Sequence, residues 1–252
     1  MAVVDGSTSK AHHSHFPFHS NGWRATQLVC DYVRKADPSL SCTAFCQGVT
    51  EWVRRHYGWP LLRLFTERGK QQYYLDHPEE RLTCSAVVFS RKRREVWLIG
   101  DCHCLIGGQY VDNPKPSEAQ LAQGRAYVIN KLSPHQLLTM VQDGRDLGRE
   151  AIIGHIVEAM KGQNRDYAVI DGFPIPQRHV IVVPLSFNPC EIVFATDGYP
   201  RLFPTLAETE EWLQTQLKKD PLCAGGGEIM ATKGRMPGTS SFDDRTYIRF
   251  EV

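Results

Sequence analysis

Apolar residues are spaced in two ways along the chain, and the spacing predicts blocks of helices and strands. In some segments they recur every three or four residues, as on the buried face of a helix. The predicted helices cover residues 22–37 and 43–57 and a helical block at 117–162. Ser133-Pro134 breaks that block into a second helix, and a third helix runs over 149–160. A further helix opens with a capping box at 205–208. Ser41 is the expected cap of the helix over 43–57.

Short apolar runs between turn residues predict the strands. They lie at residues 83–90, 95–100, 167–171, 179–183, 191–196 and 246–252. The basic run 91–94 is interpreted as the tip of a hairpin, and Gly107-Gly108 as a further turn of an antiparallel meander. Helical segments between antiparallel strands favour an α+β fold: a four-layer α-β-β-α sandwich of two mainly antiparallel sheets with helices on both outer faces.

Composition and net charge limit the classes of partner that the protein is expected to bind. The 252 residues carry 29 Lys+Arg and 28 Asp+Glu, a net charge of +1, and 42% of them are hydrophobic, as in an ordinary soluble protein. This balance gives no general attraction to nucleic acid or to an anionic membrane, so neither is expected as a partner. No apolar run is long enough to cross a bilayer, and the first residues do not resemble a secretory signal. With only 8 scattered cysteines, we predict a cytoplasmic protein with reduced thiols.

Two segments rich in metal-binding residue types have simpler interpretations. Cys102-His103-Cys104 lies in a strand-like apolar pattern without a second pair at zinc-site spacing, so we expect a strand there. The stretch 12–19 contains His12, His13, His15 and His19, and a polar loop is favoured over a metal site.

The most informative feature is an aspartate beside glycine at the end of a strand. It occurs at Asp5-Gly6, Gly100-Asp101 and Asp197-Gly198, and the acidic pair Asp243-Asp244 precedes the last strand. A strand end fixes a carboxylate in space, and several such ends at one sheet edge would form the all-oxygen site that Mg²⁺ and Mn²⁺ prefer. Asp171-Gly172 has the same form but is interpreted as a plain turn.

The set and its order resemble the PPM-type (type 2C) metal-dependent protein serine/threonine phosphatases. Asp5-Gly6 matches the early Asp-Gly motif of that family, and Gly100-Asp101-Cys102 matches its Gly-Asp-Ser motif with cysteine for serine. Thr196-Asp197-Gly198 matches Ser-Asp-Gly. Ser241-Phe242-Asp243-Asp244-Arg245-Thr246 matches Ser-x-Asp-Asn-x-Thr, with aspartate for asparagine.

The resemblance implies a phosphoric monoester hydrolase acting on a phosphoprotein or a small phosphoester. It would hold two Mg²⁺ or Mn²⁺ ions, or three, and attack the phosphate in line with a metal-bridging hydroxide, without a catalytic protein nucleophile. By resemblance, Asp5, Asp197 and Asp243 would hold the core metals with the Gly6 carbonyl, and Asp101 and Asp197 are candidates for a third, more weakly held metal. Asp244 is the expected partner of a metal-bound water.

The chain also departs from that family. Ser7-Thr8-Ser9 stands where His-Gly-Gly is usual, and only four residues precede Asp5, so the family's upstream strand and its phosphate-binding arginine have no counterpart. The chain is therefore expected to be a divergent or N-terminally truncated member. The phosphate-binding residue stays unknown; Lys10 and Arg24 are candidates.

Two other functions stay open. The first is a catalytically inactive, phosphatase-like module that binds metal or a partner. The second is an N-terminal nucleophile hydrolase, which would need processing before Ser7 or Thr8. In the favoured reading residues 1–252 form one domain, because ligands at residues 5 and 243 can meet only within one fold.

Overall fold

A computed structural model describes residues 1–8, 10, 19–57 and 66–252, and in these residues eight strands form two antiparallel sheets. The first sheet contains, in order, β1 (Ala2–Gly6), β2 (Cys84–Ser90), β3 (Glu95–Ile99) and β6 (Ile181–Pro184). The second contains β5 (Gln109–Val111), β4 (His103–Ile106), β7 (Glu191–Ala195) and β8 (Tyr247–Glu251). The first and last strands of the chain thus belong to different sheets.

Seven α-helices accompany the sheets within the described residues. They are α1 (Asn21–Lys35), α2 (Cys42–Arg54), α3 (Glu67–Asp76), α4 (Glu118–Lys131), α5 (Pro134–Gln142), α6 (Leu147–Met160) and α7 (Leu206–Lys219). The predicted caps are confirmed: the Ser41 hydroxyl accepts from the Ala44 N–H at 3.2 Å, and Thr205 and Glu208 form a capping box. No helix in the described part of the chain is both long and apolar enough to span a membrane.

Three apolar clusters define four layers. The outer face of the first sheet packs against α1 and α2 through Leu28, Val29, Phe45, Val49, Val88, Trp97 and Ile99. The facing sides of the two sheets share Val87, Phe89, Leu98, Cys104, Ile192 and Phe194. The outer face of the second sheet packs against α7 through Leu105, Val193, Ala195, Leu213 and Leu217. The predicted α-β-β-α sandwich is confirmed.

The helices α4, α5 and α6 form a flanking block that is tied to the C-terminal segment by a buried arginine. The Arg125 side chain is fully buried and pairs with Asp146, the N-cap of α6, at 2.9 Å. It also donates to the carbonyl oxygens of Leu222 and Ala231 at 2.7 and 3.2 Å. Asp146 accepts from the Gly234 N–H at 3.0 Å, so this ion pair fixes the backbone next to Lys233.

Two predicted strands differ from the structure. The segment 167–171 is not a strand but contains two isolated bridges: Tyr167 pairs with Gln163, and Ile170 pairs with Cys84 through backbone hydrogen bonds of 2.9 and 3.0 Å. The pairing stops there because the buried Asp171 carboxylate accepts from Arg81, at 3.0 Å, and from the Phe173 N–H, which turns the chain. The strand predicted at 179–183 is β6, and it begins after a short 3-10 turn, Gln177–His179.

The remaining predicted elements are present with small shifts at their ends. The basic run 91–94 is the turn between β2 and β3, as predicted. Of the histidine-rich stretch, His12, His13 and His15 lie outside the described residues, whereas the His19 ring stacks on Trp23 at 3.8 Å between centroids.

Candidate metal centre

Asp5 and Gly6 end β1 where that strand meets the start of α1. The Ser7 N–H donates to the Thr83 carbonyl at 3.0 Å, which continues the pairing of β1 with β2 past Gly6. A Cβ atom on Gly6 would lie 2.5 Å from the Gly22 carbonyl oxygen, so only glycine permits this approach of strand and helix. The Asp5 carboxyl is thereby held at the end of the first sheet.

Asp197 follows β7 in the second sheet, and its loop lies against the segment that carries Asp243. Thr196 binds Thr246 through backbone and side-chain hydrogen bonds of 3.2 and 3.0 Å. A Cβ atom on Gly198 would lie 2.2 Å from the Asp244 carbonyl oxygen. The glycine after Asp197 therefore allows the two acidic segments to touch.

These strand ends open into one cavity of about 630 Å³. Its acidic lining residues are Asp5, Asp101, Asp112, Glu118, Asp197, Glu228 and Asp243, and its lysine and arginine residues are Lys10, Lys115, Arg149 and Lys233. The structure thus brings together Asp5, Gly6, Asp101, Asp197 and Asp243, the five residues that the sequence nominated as metal ligands. Their role as ligands stays a prediction. Asp244 does not line the cavity; its N–H donates to the Asp243 carboxylate at 2.9 Å.

Asp5 and Asp197 form a carboxyl–carboxyl pair across the two sheets. Burial and the neighbouring charges of Asp197 and Asp101 raise the pKa of Asp5 to about 9, and the two side chains share a hydrogen bond. Burial and the Asp101 charge raise the pKa of Asp197 to about 6, with Lys115 acting in the opposite direction. Two carboxylates this close cannot both ionise freely, so the pair retains a proton at neutral pH.

Each carboxylate oxygen of Asp101 accepts a side-chain hydrogen bond. The Ser85 hydroxyl donates to its Oδ1 at 2.5 Å, and the Lys115 ammonium forms an ion pair with its Oδ2. Burial alone would raise the pKa of Asp101, but Lys115 and Ser85 outweigh it and the pKa lies below its ordinary value. Asp101 is therefore a carboxylate that already has its counter-ion.

Asp243 also has a lysine counter-ion. Lys233 Nζ forms an ion pair with Asp243 Oδ1 and donates to the Thr8 hydroxyl at 2.9 Å. Burial raises the pKa of Asp243 to about 6 although the Lys233 charge lowers it, because Asp197 adds a repulsive charge. Lys233 thereby connects the C-terminal acidic segment to the loop after Gly6.

Lys10 and Arg149 are the other cationic residues of the cavity. Lys10 Nζ donates to the Ser7 hydroxyl at 3.1 Å, and no ion pair to Lys10 is found among the described residues. Burial, together with the charges of Lys115, Arg149 and Lys233, lowers the pKa of Lys10 to about 7. Arg149, in α6, donates to the Thr232 carbonyl at 3.0 Å. Neither Lys10 nor Arg149 forms an ion pair with a carboxylate among the described residues.

His103 stabilises the loop that carries Asp197. Its Nδ1 lies 2.6 Å from the Tyr110 hydroxyl and its Nε2 lies 3.1 Å from the Thr196 carbonyl oxygen. Burial lowers the pKa of His103, so the neutral ring donates from Nε2 to Thr196 and accepts from Tyr110. The Tyr110 hydroxyl thus fixes the ring, and the ring fixes Thr196, the residue that precedes Asp197.

Asp5 and Asp197 have carboxylate oxygens that are not bonded to a lysine or arginine of the described residues, and these oxygens suit a divalent cation. Asp197 Oδ1 is buried and has no hydrogen-bond partner in the described part of the chain. The described residues contain no preassembled group of three or more acidic, histidine or cysteine side chains around one point. Mg²⁺ is commonly held by one or two carboxylates plus waters and substrate phosphate, so a pair of aspartates is sufficient.

Several residues of the cavity were not singled out by the sequence analysis. They are Ser85, Lys115, Glu118, Arg149 and Lys233. Lys115 lies between Pro114 and Pro116 and Lys233 in a glycine-bearing loop, and neither has a spacing that would mark it. Of the two candidates for binding phosphate, Lys10 lines the cavity and Arg24 does not.

Comparison with known proteins gives structural neighbours only. No protein-family model matches the chain, and no curated protein is similar to it. Among solved structures, it is similar to PppA, a regulatory component of the T6SS in Pseudomonas aeruginosa, with 15% identity and a TM-score of 0.36. That match covers 79% of this chain and 65% of PppA.

A second neighbour is the serine/threonine phosphatase PstP/Ppp of Mycobacterium tuberculosis, with 14% identity, a TM-score of 0.34 and 85% of each chain covered. A further match is the catalytic domain of PstP in complex with two manganese ions, with 14% identity, a TM-score of 0.31 and coverage of 85% and 84%. At these identities and TM-scores the likeness does not assign a reaction to the chain.

Proposed function

We propose that the protein hydrolyses phosphoric monoesters with the help of a divalent cation, Mg²⁺ or Mn²⁺. The observation that carries this proposal is the Asp5–Asp197 pair, to which no lysine or arginine of the described residues bonds, in a cavity that also presents lysine and arginine side chains. Acidic and basic groups in one cavity suit a ligand that needs both: a metal ion and the phosphate that it activates.

Asp5 and Asp197 would hold the cation. When bound, a divalent cation lowers the pKa of a water molecule and neutralises charge on phosphate oxygens. The residues' own part is to bind and orient: Lys10 and Arg149 would bind the phosphate oxygens, and His103 would keep the Asp197 loop in place through Thr196.

The substrate in this proposal is a phosphoserine or phosphothreonine of a protein, or a small phosphoester. The assignment to protein substrates rests on the motif resemblance. The proposal also treats residues 1–252 as one domain, because Asp5 and Asp243 line the same cavity. It places the protein in the cytoplasm, which agrees with its eight free cysteines.

A catalytically inactive, phosphatase-like binding module is the second candidate. It is favoured by Lys115 and Lys233, which neutralise Asp101 and Asp243, two of the residues nominated as metal ligands. In that case the cavity would bind metal or a phosphorylated partner without turnover.

Hydrolysis of an aryl phosphate and of a phosphoserine peptide tests the proposal. Both are measured with Mn²⁺, with Mg²⁺ and with a chelator. We expect turnover that requires the metal and that is lost in Asp5→Ala and Asp197→Ala but kept in Asp143→Ala, a change of an exposed aspartate. Binding of Mn²⁺ without turnover of either substrate would support the inactive module, and turnover that is insensitive to chelator would contradict a metal-dependent reaction.

A further inference from the structure

The lysines of the cavity are distributed unevenly over its aspartates. Asp101 has Lys115 as a bonded counter-ion and Asp243 has Lys233, whereas no lysine or arginine bonds to Asp5 or Asp197 among the described residues. The Lys115 charge reaches Asp197, but no hydrogen bond joins them. When both are ionised, Asp5 and Asp197 together carry the charge that one divalent cation neutralises.

Lys115 is held in place by its surroundings. Pro114 and Pro116 flank it and restrict its backbone, and the other oxygen of Asp101 is fixed by the Ser85 hydroxyl at 2.5 Å. The Asp101 side chain is 5% exposed. A buried carboxylate with both oxygens bonded exchanges its partner only at the cost of leaving an ammonium unpaired.

Lys233 is also held, by contacts on both sides. Its ammonium donates to Thr8 at 2.9 Å as well as to Asp243. The next residue, Gly234, donates its N–H to Asp146, which is paired with the fully buried Arg125. The Lys233 side chain is 17% exposed, so its charge is screened less than that of a surface lysine.

We infer that Lys115 and Lys233 act as built-in cations in place of additional metal ions, so that the centre binds a single divalent cation, at Asp5 and Asp197. The inference rests on the proposed function for its metal. A second metal ion would have to displace one ammonium from its carboxylate and would then be repelled by it. The family that the motifs resemble implies two or three ions, so this centre differs from that expectation through its own residues.

The stoichiometry of Mn²⁺ binding tests the inference without depending on turnover. It is measured by calorimetry and by Mn²⁺ EPR, which distinguishes an isolated ion from a spin-coupled pair. We expect about one equivalent in the wild type and about two in Lys233→Met or in the Lys115→Met/Lys233→Met double variant, because the freed carboxylates then need a cation. Lys161→Met removes an exposed lysine that pairs with Glu158 on the surface, and it should bind like the wild type.

Two equivalents in the wild type would overturn the inference, and so would a double variant that folds and still binds one. If the lysine variants do not fold, aspartate variants decide. Asp101→Asn and Asp243→Asn should each retain one equivalent, whereas Asp5→Asn and Asp197→Asn should bind none. Loss of the ion in Asp101→Asn or Asp243→Asn would show that these residues are ligands and would overturn the inference.

The outcomes also separate this inference from the proposed function. A wild type with one bound ion and no phosphatase activity supports the inference and contradicts the function. A wild type that binds two ions and shows metal-dependent activity supports the function and contradicts the inference. A wild type that binds no Mn²⁺ contradicts both.

Discussion

The carboxyl groups of Asp5 and Asp197 hydrogen-bond to each other although Asp5 belongs to a strand of the first sheet and Asp197 follows a strand of the second. Without a cation the pair is costly, because burial and mutual repulsion oppose ionisation. The pKa of Asp5 is raised to about 9, far above that of an aspartate in an unfolded chain. This difference has measurable consequences for stability and for metal binding.

The stability of the metal-free protein should depend on pH through Asp5. Because its folded pKa lies above its unfolded value, the folded state binds the extra proton, and the stabilising effect is lost as pH rises toward about 9. The free energy of unfolding of Asp5→Asn, relative to that of the wild type, should increase by about 1 kcal/mol per pH unit between about pH 6 and 8. Urea denaturation with chelator measures it. Parallel pH profiles for the two proteins would contradict the raised pKa.

Binding of a divalent cation should release a proton at neutral pH. The metal needs the Asp5–Asp197 pair ionised, whereas the metal-free pair retains a proton because the pKa of Asp5 is about 9. Calorimetry at pH 7 in buffers of different ionisation enthalpy should show about one proton released per Mn²⁺ bound, and affinity that rises with pH. Asp143→Asn, at an exposed position, should behave like the wild type. Equal heats in all buffers would show that the pair is ionised before the metal arrives.

The layers of the fold follow from local patterns, which explains why they could be predicted. The stripe that places Leu28 and Val29 of α1 on the first sheet is set by residues three and four apart, and the caps at Ser41 and Thr205 are equally local. The strand predicted at 167–171 is wrong because the conformation of this segment depends on a distant residue: Arg81 binds the Asp171 carboxylate at 3.0 Å.

The sequence predicted the aspartates of the site but not its lysines. Asp-Gly motifs at strand ends mark Asp5 and Asp197, because the glycine that lets the backbone turn is adjacent in sequence. Lys115 and Lys233 are single lysines in loops, and their pairing with Asp101 and Asp243 arises from the fold. Charge compensation inside a cavity is a property of packing, so a sequence pattern does not reveal it.

Lys10 should contribute to binding of phosphate. Its ammonium lies near three other cations and has no carboxylate bonded to it among the described residues, so an anion is its favourable partner. Lys10→Met should raise the KM for an aryl phosphate and the inhibition constant of inorganic phosphate by about tenfold, the effect of roughly 1.4 kcal/mol. The number of Mn²⁺ ions bound should stay the same. Lys161→Met, at the surface, is the matched control, and an unchanged phosphate inhibition constant in Lys10→Met would contradict the assignment.

Gly198 should be required for the centre to assemble, since a Cβ atom at this position would lie 2.2 Å from the Asp244 carbonyl oxygen. Gly198→Ala should therefore separate the Asp197 loop from the Asp243 segment, lowering the melting temperature and weakening Mn²⁺ binding. Gly154→Ala is a matched control: a Cβ atom there meets nothing within 4 Å, and in the helix α6 it should add up to about 1 kcal/mol of stability. Thermal denaturation and Mn²⁺ titration of both variants measure the contrast. If Gly198→Ala melts and binds Mn²⁺ like the wild type, contact between the two segments is not what positions Asp197.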